Sequence, residues 1–244
     1  MKRLIKRALE TFRLEIRRLD PEEIPDPDPI EIAAVEQRMA DFASDQLSSS
    51  SLSSVPELRD YLSDARIAFF NDLVDICERS GVQMDDRRVA DMGTGTGYLL
   101  RAVGRHAASA DLYGYDTFAE MLGLARLLVP RASFAAASLY EVDEKFDVVF
   151  CTEMLEHMVH PHQALQHLAR LILPGGALVL TVPNGRKDRG PAKEMRDDGT
   201  AFWGHINFWS PESWPVFLER ELPEAIGIEV GLMITEKNYA IARF

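Results

Sequence analysis

From Arg88 onward the chain alternates short apolar runs with spacers long enough for helices: RVADMG, DLYGYD, ASFAAAS, FDVVFCTE and ALVLTVPN, then IGIEVGLM and NYAIARF near the end. Parallel strands need long crossovers, usually helical, whereas hairpins need only a few residues, so this rhythm selects helix-covered parallel strands. The expected fold is α/β, a doubly wound, mostly parallel, seven-stranded sheet that takes its ligand at the carboxyl ends of the strands.

The first of these runs leads into VADMGTGTGYLL, with Gly93, Gly95 and Gly97 between a strand and a helix beginning near Tyr98. Missing Cβ atoms let backbone N–H groups approach a ligand closely, which marks the turn as a binding loop. A dinucleotide fingerprint, G-x-G-x-x-G, requires its third glycine where Tyr98 stands, so the loop suits an amino-acid-like or nucleoside-like ligand better than a pyrophosphate. Asp116 closes the second run, 19 residues beyond Gly97, about the spacing at which a carboxylate accepts hydrogen bonds from ribose hydroxyls. An Asp in that position is also a good helix N-cap.

With these residues in view, the chain resembles the class I S-adenosylmethionine-dependent methyltransferases from about residue 57 to the C-terminus. VADMGTGTGYLL is similar to their first motif and YGYDTFAEML to their second. FDVVFCTEMLEHMVHPHQALQHLARLILPGGALVLTVPN resembles the later half of the fold, with its E-H pair, P-G-G turn and V-P-N. The branch it resembles includes ubiquinone-biosynthesis O-methyltransferases and many sugar and natural-product O-methyltransferases. The resemblance implies S-adenosylmethionine as cofactor, with Asp91, Gly93, Thr94, Gly95 and Gly97 along its methionine part and Asp116 on the ribose. It further implies Thr117, Phe118, Ser138 and Leu139 around the adenine, and Glu153 and Met154 near the sulfonium. Relatives often carry Asp at the position of Ser138, whose hydroxyl can still accept from the adenine amine.

Methyl transfer is an in-line displacement, so an acceptor must be held about 3 Å from the methyl carbon, opposite the departing sulfur. A hydroxyl acceptor also needs a base, most often histidine. His157 follows the fourth strand and His205 lies in FWGHINFWSP, after the fifth; both are candidates. Phe202, Trp203, Asn207, Phe208 and Trp209 belong to that second segment, and Trp203, Asn207 and Trp209 are the expected substrate contacts. The aromatics equally suit a core, and His157 a helix-pinning role. Glu153, Glu156, His157 and His205 also resemble the metal ligands of small-RNA 3′-terminal 2′-O-methyltransferases, but the expectation is that no metal binds. The polar run GRKDRGPAKEMRDDG, with Arg186, Lys187 and Arg189, reads as a solvated loop or as a contact for a charged substrate.

The expected function is therefore methylation of an oxygen on a small molecule or a sugar- or glycan-linked intermediate. The alternatives are a non-catalytic S-adenosylmethionine-binding regulator and a metal-dependent ribose 2′-O-methyltransferase. A net charge of −12 argues against a nucleic-acid partner. The charge is uneven, however, because residues 1–19 hold seven Lys/Arg against two Glu. On a helix, Leu4, Ile5, Ala8, Leu9, Phe12, Ile16 and Leu19 share one face flanked by basic residues, which suits peripheral contact with an anionic membrane or docking on protein. A proline- and acid-rich spacer at 21–29, a second helical pattern and a serine-rich loop complete an extension expected over residues 1–56, ahead of a catalytic domain over 57–244. Two cysteines, the absence of an 18-residue apolar run and an N-terminus unlike a secretory signal make the cytoplasm the expected compartment. Nothing in the sequence specifies the oligomeric state.

Overall fold

The computed structural model describes residues 64–188 and 205–244. The expected basic helix and spacer, together with Arg189, Phe202 and Trp203, lie outside the described residues. Helix α1 (Asp64–Arg79) is followed by β1 (Arg88–Met92), α2 (Tyr98–His106), β2 (Asp111–Asp116), α3 (Ala119–Leu128) and β3 (Ser133–Ala136). The second half runs β4 (Phe146–Thr152), α4 (Pro161–Arg170), β5 (Ile172–Val182), α5 (Ser213–Glu221), β6 (Gly227–Leu232) and β7 (Asn238–Arg243). Single 3₁₀ turns sit at Leu139–Glu141 and Leu155–His157.

The seven strands form one sheet in the order β3-β2-β1-β4-β5-β7-β6, parallel except for β7, which runs antiparallel to both β5 and β6. Chain order reverses between β1 and β4, so β2 and β3 build outward on one side and β5 on the other. The carboxyl ends of β1 and β4 therefore flank the crevice where such sheets take ligands. Because β7 is inverted, the β6–β7 turn returns to that same edge.

The pleat sorts the core residues. Val89, Val148, Phe150, Val179 and Ile241 meet Phe69, Leu73, Leu99 and Val103 of α1 and α2 on one face. Ala90, Val149, Cys151, Leu178 and Leu180 meet Leu165, Leu168, Trp214 and Leu218 of α4 and α5 on the other. Burial on both faces is why these strands are nearly continuous apolar runs rather than alternating ones. Cys77 and Cys151 fall into opposite layers and both are free thiols. Burial pushes the Cys77 thiol up to about 12, which leaves almost no thiolate for oxidation. Among the described residues, no helix is long and apolar enough to cross a membrane.

Candidate functional site

The glycine turn leaves β1 at the crevice and is tied down from the neighbouring strand. Backbone N–H groups of Gly93 and Thr94 both donate to the Tyr115 carbonyl, at 2.8 and 3.0 Å, and Gly97 N–H donates to Thr94 O at 2.9 Å. Gly97 has φ +81°, and a Cβ there would lie 3.1 Å from the Ala125 Cβ on α3. Glycine is thus required both by the left-handed backbone and by the close approach of a helix. A Cβ on Gly95 would meet nothing within 4 Å, so this part of the loop borders open space.

Asp116 joins the two motifs. Its Oδ2 accepts from Gly95 N–H at 2.8 Å and its Oδ1 from Phe118 N–H at 2.9 Å. The second contact is a local turn and not the helix N-cap that the sequence also allowed, since Phe118 takes the N-cap position of α3, and the first spans 21 residues to the loop. Each oxygen keeps a further lone-pair direction for a ribose diol. Beyond it, Ala137 N–H donates to Asp116 O at 3.0 Å, which brings Ser138 and Leu139 to the same edge of the sheet as Asp116. Phe118 is 44% exposed, Leu139 is buried, and Ser138 donates its N–H to Glu141 Oε2 at 2.7 Å. Thr117 is exposed.

Asp91, under the loop, is 1% exposed and its Oδ1 has no hydrogen-bond partner. Burial pushes its carboxyl up to about 7; the Asp116 charge adds to this, and Thr94 and Arg66 oppose it. A buried carboxyl with one oxygen unpaired, beside a second carboxylate, is a place where a cationic ligand lowers the free energy. S-adenosylmethionine, with an ammonium and a sulfonium, fits that requirement, and a phosphate-bearing ligand does not.

Across the crevice, β4 ends in Glu153, whose φ of +52° turns the chain sharply into the 155–157 turn. Met154 packs against the loop, its Sδ 3.2 Å from where a Gly93 Cβ would stand. Glu153 is held from the sheet side: Thr181 Oγ1 donates to its Oε1 at 3.2 Å and Lys237 pairs with its Oε2. Lys237 comes from the β6–β7 turn, 84 residues away, and no local pattern in the sequence marks it as a site residue.

The structure brings His157 and His205 together, with ring centroids 4.8 Å apart and edge to face. The join is made by backbone: Ile206 and Asn207 N–H groups both donate to Glu156 O, at 2.8 and 3.0 Å. The Asn207 side-chain amide donates to Met158 O at 2.7 Å and Leu155 O at 3.3 Å. Asn207, expected to touch substrate, thus spends its amide N–H groups on clamping the turn that carries His157. Trp209 needs a firmer correction. It is buried against Trp214 and Phe217, with centroids at 5.4 and 5.0 Å, and its carbonyl accepts from Gly185 N–H at 2.8 Å. Its large apolar ring finds more contact in the α5 layer than at the pocket wall, so it is a core residue.

Glu156 lies beneath the two imidazoles, 1% exposed, with neither carboxyl oxygen hydrogen-bonded. Burial, helped by the Glu153 charge and opposed by Lys237, pushes it well above the usual carboxylate range. His157 Nε2 approaches its Oε1 at 3.9 Å, and one donor atom from each of Glu156, His157 and His205 lies within 4.8 Å of the others. Such a set could hold a divalent ion. Glu153, the fourth residue of the set suggested by resemblance, has its carboxylate engaged by Lys237 and Thr181.

Comparison with known proteins bears on this geometry. Residues 57–221 match the family described as a methyltransferase domain. A ubiquinone biosynthesis O-methyltransferase from Pectobacterium carotovorum is 35% identical over 106 residues, 40% of this chain and 44% of the relative. The chain spans about half the length of the curated relatives it matches. Among solved structures, an S-adenosylmethionine-dependent methyltransferase from Aquifex aeolicus superposes with a TM-score of 0.58 at 19% identity, covering 77% of this chain and 97% of its own. The magnesium protoporphyrin IX methyltransferase of Synechocystis, with bound cofactor, gives 0.57 at 16% identity, over 87% and 96%. The matched family spans most of the chain, the glycine loop and Asp116 face one crevice, and the solved methyltransferases share the fold: the chain belongs to the class I S-adenosylmethionine-dependent methyltransferases.

Proposed function

We propose that the protein methylates a hydroxyl oxygen on a small molecule or a sugar- or glycan-linked intermediate. The observation that carries this reading is the convergence of His157 and His205 beside a buried Glu156, across the crevice from the glycine loop. Relatives named as O-methyltransferases support the same acceptor atom. When bound, S-adenosylmethionine supplies a methyl group activated by its sulfonium. The chain would hold its methionine part with Asp91 and the loop from Gly93 to Gly97, its ribose with Asp116, and its adenine between Phe118 and Leu139, with Thr117 and Ser138 at the rim. Met154, packed against the loop, would wall its sulfonium end, with Glu153 held nearby by Thr181 and Lys237. An imidazole takes the acceptor proton as the oxygen becomes nucleophilic, and the covered, low-dielectric floor keeps competing water from the reaction.

The test is transfer of tritiated methyl to a panel of phenolic, catecholic and sugar acceptors. His157→Ala or His205→Ala is expected to lower kcat by about 10²-fold or more while leaving S-adenosylmethionine affinity within a few-fold. Unchanged turnover in both variants removes the base assignment. Binding of the cofactor by calorimetry with no turnover on any acceptor favours the non-catalytic regulator instead.

One observation favours a second reading, the metal-dependent ribose 2′-O-methyltransferase: the three donor atoms of Glu156, His157 and His205 within reach of a single ion. In that case activity on RNA 3′ ends is lost with a chelator and restored by manganese. Activity that survives the chelator disposes of it.

A further inference from the structure

The two imidazoles are not equivalent. His157 is the more open, with 38% of its side chain exposed, and it faces the Glu156 carboxyl. His205 is 21% exposed, and its Nδ1 is engaged by Asp188 Oδ2. Asp188 is itself only 16% exposed, and its backbone N–H donates to Asn184 O at 2.8 Å, just past β5. Asn184 is buried and bridges to Trp209 in the core. On the other side, the residues following His205 are fixed to Glu156 by the two backbone bonds already described. Both partners of the Asp188–His205 contact are therefore anchored by main chain, one just past β5 and the other to the turn after β4.

An ionised carboxylate only accepts, so an imidazole nitrogen bound to it must carry the proton. The other nitrogen, Nε2, is then left with its lone pair. We propose that Asp188 is a positioning residue that fixes His205 in the Nδ1–H tautomer, making His205 Nε2, and not His157, the acceptor of the substrate hydroxyl's proton. The inference rests on the O-methylation reading.

The balance is simple. The acceptor O–H proton passes to Nε2, the oxygen forms a bond to the methyl carbon, and the carbon–sulfur bond breaks with its electron pair on sulfur. The products are a methyl ether, neutral S-adenosylhomocysteine and an imidazolium, which later returns its proton to water. Asp188 stabilises that imidazolium as the charge forms, which is the role a third group plays whenever a histidine base is oriented.

The experiment uses the full chain labelled with ¹⁵N, saturated with S-adenosylhomocysteine, and records two-bond ¹H–¹⁵N imidazole correlations at pH 8. His205→Gln assigns the signals. In the wild type His205 is expected to show a protonated Nδ1 and a bare Nε2, and in Asp188→Ala to move toward the Nε2–H form. In the same variant kcat for tritiated methyl transfer is expected to fall about 10²-fold, with S-adenosylhomocysteine affinity within twofold as proof of folding. An Nε2–H tautomer in the wild type, or a spectrum unchanged in Asp188→Ala, overturns the positioning role while leaving the O-methylation reading intact. A switched tautomer with unchanged turnover overturns His205 as the base and leaves that role in the O-methylation reading to His157.

Discussion

At the scale of single residues, the site is organised by carboxylates that lack ordinary surroundings. Asp91 holds its proton up to about 7 in the folded protein but releases it near 3.8 when exposed. The folded state therefore binds more protons than the unfolded one across that window, and Asp91's contribution to stability, complete below about 3.8, is lost as pH rises to about 7. Asp91→Asn is accordingly expected to stabilise the cofactor-free protein at pH 8 by about 1–4 kcal/mol, with no gain near pH 3.8, as read by urea denaturation at the two pH values. The same substitution should weaken S-adenosylmethionine binding, because the anionic partner of a cation is gone. Asp116 differs in that its charge is already hydrogen-bonded by Gly95 and Phe118. Asp116→Ala removes both these contacts and the ribose acceptor, and a 10- to 100-fold loss of cofactor affinity by calorimetry is the expected outcome.

At the scale of elements, the site depends on how two non-regular segments, one after β4 and one before α5, are sewn together. Asn207 makes the stitch: its amide reaches carbonyls on both sides of the 155–157 turn, and its backbone N–H reaches Glu156. Asn207→Ala should cost about 1–3 kcal/mol of stability, since buried carbonyls lose their donor. It should also lower kcat through misplacement of His205, while S-adenosylmethionine affinity stays near wild type because the glycine loop is untouched. A thermal melt and a calorimetric titration on the same sample separate the two effects. A parallel loss of cofactor affinity would show that the loop and the histidine turn are one cooperative unit. The periodicity of the strands made these elements legible, because a strand covered on both faces must be apolar throughout. Nothing periodic announced that Trp209 belongs to the α5 layer, since an aromatic in a loop suits a core or a pocket equally until the neighbouring helix is placed.

For the molecule as a whole, charge separates the parts. Seven of the basic residues fall within residues 1–19 of a chain with net charge −12. We propose that this segment makes peripheral contact with an anionic membrane, worth about 1 kcal/mol for each Lys or Arg near the surface. The full chain should co-sediment with phosphatidylserine-containing vesicles at low salt and less so at high salt, whereas a chain lacking residues 1–20 should stay in the supernatant. Equal sedimentation of the two ends the membrane reading. The amino-acid sequence by itself determined the sheet and the glycine turn between β1 and α2, because each follows from rules that act over one strand or one turn. Tertiary structure alone decided that Lys237 holds Glu153, that Asp188 meets His205, and that Asn207 clamps while Trp209 withdraws into the core. Those pairings join segments as far as 84 residues apart, and a carboxylate or an amide carries no local preference for a partner that only the closed sheet brings within reach.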